Sequence, residues 1–466
     1  MATPRRDPLG QPHDAHGRAA EAVDDFVLGF IACDLRVIHV LDEQDDASAT
    51  VQICLAMLHL FAESPAGALQ ARLHLSRAQA ALAAMSPSHP AHDRLTRWAA
   101  ATQAWCNGDT AQALALHETQ VRRYPRDLLA LKLGQYHAFN RGDAPAMLRL
   151  ALPGLDAAAD VPQLHGMAAF AYEQCHFLDA AEVHARQALA MRRDEPWAQH
   201  ALAHVMLARG ELHAGSRFLA EMSDGWSGLN SFMRTHNWWH LALFLIEQDH
   251  LDEALSLYDR EVWGVDTSCS QDQVNAVSLL ARLELAGAEV GERWQNVADH
   301  LVTRTADQVL PFLDMQYLYG LARAARPEAE TLLQHVARRA QSASSVSGGG
   351  SDTVWREVAQ PACLGLAAHA RGDMREAATQ LGIALPRLQE IGGSHAQREL
   401  FEQLHLDALL RAGSLAGAQN LLQQRLALQP ESVRLRKQAR RLYAALALPA
   451  TLADPRDVTA AEPVRR

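Results

Sequence analysis

The chain has 466 residues, 48% hydrophobic and 21% charged, the composition of a folded globular protein and not of a disordered one. Forty-three Lys and Arg against 54 Asp and Glu give a net charge of −11, which excludes nucleic-acid binding through a broadly basic surface. No apolar run reaches the ~18 residues of a membrane span, and none follows Arg5 and Arg6, so neither a span nor a signal peptide is expected.

Residues 1–94 show helical periodicity at 20–34, 50–62 and 67–84, with a further stretch at 91–106, and read as an N-terminal helical cap or degenerate repeats. From 95 to 340 a ruler appears. Gly108 is followed by Ala113, His117 and Pro125, and the same spacing fits Cys175, Ala180 and His184. It fits again at Gly210, Gly215 and Leu219, at Asp249, Ala254 and Tyr258, at Gly372, Ala377 and Leu381, and at Gly413, Ala418 and Leu422. The marks at 108, 142, 175 and 210 are 34, 33 and 35 residues apart. A period near 34, with helical patterning on both sides of a Gly-type turn, is the tetratricopeptide signature. Glycine or aspartate tolerates the unusual backbone of the turn. The small residue five positions later lets the second helix of a pair pack closely on the first.

Further on, the step from Gly210 to Asp249 carries a turn-rich surplus at 222–231. Helices after 271 are broken at Pro311 and Pro327. The stretch 341–353 reads as a Gly/Ser linker, 354–448 as C-terminal tetratricopeptide-like repeats, and 449–466 as a disordered tail. The basic run RLRKQARR, 434–441, reads as a solvated face or a dock for an acidic partner. No segment alternates as a strand would. The fold class expected is all-α: a right-handed α-solenoid of tetratricopeptide-like helix pairs, with a main arm to about 340 and a smaller arm after the linker.

Six cysteines at 33, 54, 106, 175, 269 and 363 never approach a CxxC spacing, and point to reduced, buried thiols and a cytoplasmic protein. Histidine is abundant, at 23 residues. Two HxxxH pairs, His200 with His204 and His236 with His240, each place two imidazoles on one helix face, where they can share a divalent metal ion. No glutamate lies between the paired histidines, so this is not a zincin motif. Counting along the first helix of each pair puts His165, Trp197, His200, His204, His236 and Trp239 on the concave face. His240 falls on its edge, Glu173 lies along the same trough, and Asn237 sits within the HNWWH string. His117 and His184 take the packing position that Tyr258 fills elsewhere.

The strings HALAHV at 200–205 and HNWWHLALF at 236–244 carry a resemblance. With DPLGQP at 7–12, RYPRDLLAL at 123–131, HGMAAFAYEQ at 165–174 and ALSLYDREV at 254–262, the chain resembles the tetratricopeptide repeat protein 38-like family over about 5 to 340. The resemblance implies an α-helical repeat protein and no particular reaction. The chain departs from the family pattern at NAVSLLARL, 275–283, where the family tends to carry an acid and a tryptophan, and at Gln316, where it tends to carry a histidine.

Three functions follow from these residues. The first is a binding protein whose concave groove at 165–240 takes a small molecule or short peptide through His165, Glu173, Trp197, His200, His204, His236, Asn237, Trp239 and His240. The second is an enzyme in which the histidines bind a divalent metal or act as acid and base. The third is a scaffold for protein partners, with the histidines in a hydrogen-bonded network. None of the three involves nucleic acid or membrane. No dinucleotide-binding fingerprint, P-loop or nucleophile elbow occurs.

Overall fold

The computed structural model describes residues 5–342, 351–449 and 452. Among these are 23 α-helices, with short 3-10 and π turns, and no strand; two isolated bridges join Arg6 to Pro12 and Asp34 to Leu229. The middle of the expected linker, 343–350, and nearly all of the expected tail lie outside the described residues. The linker's flanks differ from the expectation: 341 and 342 end the helix Glu328–Ser342, and 351–353 begin the helix Ser351–Val354.

Helix pairing follows the repeat, with one change of phase. Gly108, Gly142, His176 and Gly210 each have positive φ, at 77°, 67°, 61° and 72°, and each follows the last by 34 residues. The turn residue of the third pair is therefore His176 and not Cys175, whose φ is −89°. Asp249 (φ 68°) ends the next first helix. These left-handed residues stop the helices His92–Cys106, Leu128–Asn140, Pro162–Gln174, Pro196–Ala208 and Ser231–Glu247. Aspartate side chains cap several of the partner helices, as Asp109 and Asp143 do through the backbone N–H of Gln112 and Ala146.

The first helices of successive pairs stack side by side, and the two ends of the chain close over their termini. At the N-terminal ends, the Asn230 N–H donates to the Cys33 carbonyl, and Lys132 Nζ donates to the Phe30 and Ile31 carbonyls. There too, the Glu63 carboxylate accepts from Ser270 and Gln271, and Arg94 pairs with Asp127. At the C-terminal ends, His395 Nε2 lies 3.2 Å from the Gln174 carbonyl and Gln429 Nε2 donates to the Leu207 carbonyl. Such contacts satisfy carbonyls that a helix end leaves unpaired. The buried Arg434 forms an ion pair with Glu247 at 2.6 Å, and Lys437 pairs with Asp249. Two residues of the basic run, Arg434 and Lys437, thus have acidic partners within the same chain. A single apolar core extends from Leu9 to Leu404, so the helices after the linker join the main body, and a smaller cluster from Leu406 to Tyr443 follows.

Candidate functional site

His200 and His204 stand on the helix Pro196–Ala208, and His236 and His240 on the helix Ser231–Glu247. Both helices start with a strong cap: Glu195 accepts from the Ala198 N–H, and Asn230 from the Met233 N–H. Each pair sits one turn apart on its helix, and the helices face each other. One nitrogen from each of the four rings can be chosen so that all lie within 4.8 Å of one another. His200 Nε2 and His204 Nε2 are 3.2 Å apart. The other nitrogens of two rings have partners: His204 Nδ1 is 3.5 Å from Glu173 Oε1, and His236 Nδ1 is 3.0 Å from Asn275 Oδ1.

All four imidazoles are buried. Burial, and then the neighbouring imidazoles, hold His200 and His240 well below the usual histidine range; burial pushes His236 down to about 3. The rings of His200, His236 and His240 are therefore neutral, with lone pairs free to bind. Burial opposes the charge on Glu173, but His204, His395 and Gln174 outweigh it and hold the carboxyl below its usual value. His200 Nδ1 and both nitrogens of His240 have no hydrogen-bond partner. An unpaired buried polar atom costs about 1–3 kcal/mol, so a network of protein hydrogen bonds alone does not account for the cluster.

A cavity of about 360 Å³ adjoins the cluster, with His200 and His236 in its wall. Phe30, Phe61, Phe139, Phe170, Trp197 and Phe232 are prominent among the rest, with aliphatic and a few polar residues between them. At its polar positions Tyr136 donates to Glu63 at 2.8 Å, and the Lys132 ammonium stands 4.7 Å from the Trp197 ring centre. Half-exposed Ile38 belongs to both the cavity wall and the surface. A second cavity, of about 390 Å³, lies on the other side and is polar: Glu173, His204, His395, Arg398, Glu402 and Arg425 line it. Burial lowers Arg398 to about 10 and His395 to about 4.

The expected site residues divide. His200, His204, His236 and His240 come together, with Glu173 beside them and Trp197 in the apolar wall. His240 is fully buried at the centre of the group and not at an edge. Trp239 stacks on His236 at 5.1 Å, under the Arg282 guanidinium, and lines neither cavity. Asn237 is buried with both amide atoms unpartnered, and it too lines neither cavity. His165 does not join the group. Its Nδ1 is 3.3 Å from His184 Nδ1, and its Nε2 is 3.0 Å from the Ala159 carbonyl. The reason is the phase change: one residue of helix is a rotation of about 100°. With His176 as the turn, Gly166 and Phe170 align with His200 and His204, and His165 swings onto its partner helix.

Several site residues escaped sequence reasoning. Asn275 on the helix Ser270–Ala286, Glu63 near the N-terminus, and His395 and Arg398 near the C-terminus arrive from distant segments. Position in the repeat could have found Phe170, which stands where His204 does one repeat later; no local signal marks the others.

No family model matches the chain. Among solved structures, a human IFIT1 dimer with PPP-AAAA is similar at a TM-score of 0.41 and 12% identity, covering 94% of this chain and 96% of that one. A human IFIT1 dimer with m7Gppp-AAAA gives 0.41 and 11%, covering 96% and 100%. A structure of Naa15/Naa10 bound to HypK-THB gives 0.24 and 12%, covering 92% and 68%. Likeness at this level assigns no ligand and no activity.

Proposed function

We propose that the chain is a small-molecule-binding helical-repeat protein whose occupant is a compact, largely apolar molecule held in the aromatic cavity. The cavity itself is the observation that carries this reading: about 360 Å³, walled by aromatic rings, with a few polar groups at fixed places. A short peptide in an open groove fits less well, because the chain ends close over the groove at both margins. Nucleic acid fits poorly too, since Lys132 is the one lining residue of this cavity with a fixed positive charge among the described residues. The HNWWHLALF string supports placing the chain with the tetratricopeptide repeat protein 38-like family.

The test is native mass spectrometry of freshly purified protein, with organic extraction of any adduct and displacement by the apolar dye Nile red. A one-to-one adduct or one-to-one dye binding, weakened by Trp197→Ala, supports the reading; a folded protein that takes up neither overturns it. A second reading, a metal-dependent enzyme, is favoured by one observation: His200 and His236 belong to both the cavity wall and the histidine cluster.

A further inference from the structure

We propose that His200, His204, His236 and His240 form a mononuclear transition-metal centre set between two compartments, open to an apolar organic molecule on one side and to water or a small anion on the other.

The donor geometry fits a metal ion. Imidazole nitrogens bind Zn²⁺ at about 2.0–2.1 Å, and a tetrahedron of that size has edges of roughly 3.3–3.4 Å. The 3.2 Å between His200 Nε2 and His204 Nε2 is close to one such edge. The donor atoms all lie within 4.8 Å of one another, so binding would draw the more distant ones in toward that edge length. An ion there takes up a lone pair on His240, both of whose nitrogens the protein leaves unpartnered.

The outer shell fits as well. Metal-binding imidazoles usually direct their other nitrogen to a carboxylate or carbonyl, which fixes the tautomer. Glu173 does this for His204, and the side-chain carbonyl of Asn275 does it for His236. Four imidazole nitrogens select zinc, copper, cobalt, nickel or ferrous iron over magnesium or calcium.

Access follows from which rings meet which cavity. His200 and His236 line the aromatic cavity, whereas His204 and Glu173 line the polar one. Four imidazoles leave a divalent charge uncompensated except by Glu173, which favours a small anionic fifth ligand. The polar cavity, with Arg398 and Arg425 in its wall, is where such an anion would enter. The centre does not depend on the identity of the cavity's occupant: dye binding without metal, or metal without dye, separates the failure of one reading from that of the other.

The experiment is titration of chelator-stripped, full-length protein with Co²⁺, followed by visible absorption and by metal analysis. One equivalent should bind, give the intense visible band of tetrahedral cobalt, and be displaced by Zn²⁺. His240→Leu and the His200→Ala/His204→Ala pair should lose the band, whereas His165→Ala, which also removes a buried histidine, should keep it. Glu173→Gln and Asn275→Leu should weaken Co²⁺ by about 10- to 100-fold. Azide and 4-phenylimidazole should each change the cobalt band. Leu385→Trp, which narrows the polar cavity, should weaken only azide; Trp197→Ala should weaken only 4-phenylimidazole. Wild-type protein with native circular dichroism and no stoichiometric cobalt overturns the centre, as does full binding by a folded His240→Leu variant. A cobalt band that neither azide nor 4-phenylimidazole changes overturns the two-sided access.

Discussion

Glu173 and His204 lie one repeat apart, and the Glu173 carboxylate stands 3.5 Å from the His204 nitrogen that points away from His200. The pairing orients one imidazole of the cluster and places a carboxylate at the edge of the polar cavity. Everything that holds those two helices in register therefore bears on the site.

Gly166 is one such point. A Cβ there would meet Glu195 Oε2 at 2.4 Å and the Ala198 nitrogen at 3.1 Å, so a side chain would press on the cap of the helix that carries His200 and His204. Gly166→Ala should destabilise the protein by about 1–3 kcal/mol. Urea denaturation measures this, and Co²⁺ affinity should fall with it.

Trp197 forms part of the cavity wall and packs against Phe170 and His200. Trp197→Ala should weaken Nile red about tenfold, which corresponds to roughly 1.4 kcal/mol of lost apolar contact. Fluorescence titration checks it. An unchanged affinity would place the dye elsewhere.

Arg434 is buried against Glu247, with Ser432 donating to the same carboxylate. Removing one partner strands a buried charge, so Arg434→Ala should cost about 3 kcal/mol or more. Lys437→Ala, at a half-exposed pair with Asp249, should cost at most about 1 kcal/mol. In limited proteolysis or hydrogen exchange, the helix Val433–Ala445 should open first in Arg434→Ala.

Asp314 is buried, with Oδ1 accepting from Gln308 and Oδ2 unpartnered, and burial raises its carboxyl to about 8. The folded protein then keeps a proton between about pH 4 and 8 that the unfolded chain releases. Its contribution to stability is fully present below the unfolded value and is lost as pH rises toward 8. Asp314→Asn removes this dependence. Between pH 5 and 7.5 the variant should gain about 3 kcal/mol relative to wild type, measured by urea denaturation at both pH values.

The sequence by itself determined the helices and their pairing, because both depend on local facts. Apolar spacing of 3.6, turn residues at a period near 34 and prolines at helix starts are readable from neighbouring positions. The two HxxxH strings likewise put each pair of imidazoles on a single face. Phase within one repeat was not readable: glycine or aspartate usually holds the left-handed turn position, but here His176 does, and an error of one residue moved His165 from one face to another. Only the tertiary structure decided that two HxxxH faces oppose each other, that Asn275 and Glu173 flank them, and that both ends of the chain turn the expected groove into two cavities. The contacts responsible, such as Ser270 with Glu63 and Arg434 with Glu247, join residues 207 and 187 positions apart. Their pairing is set by burial and charge compensation across the whole fold, and no local pattern records it.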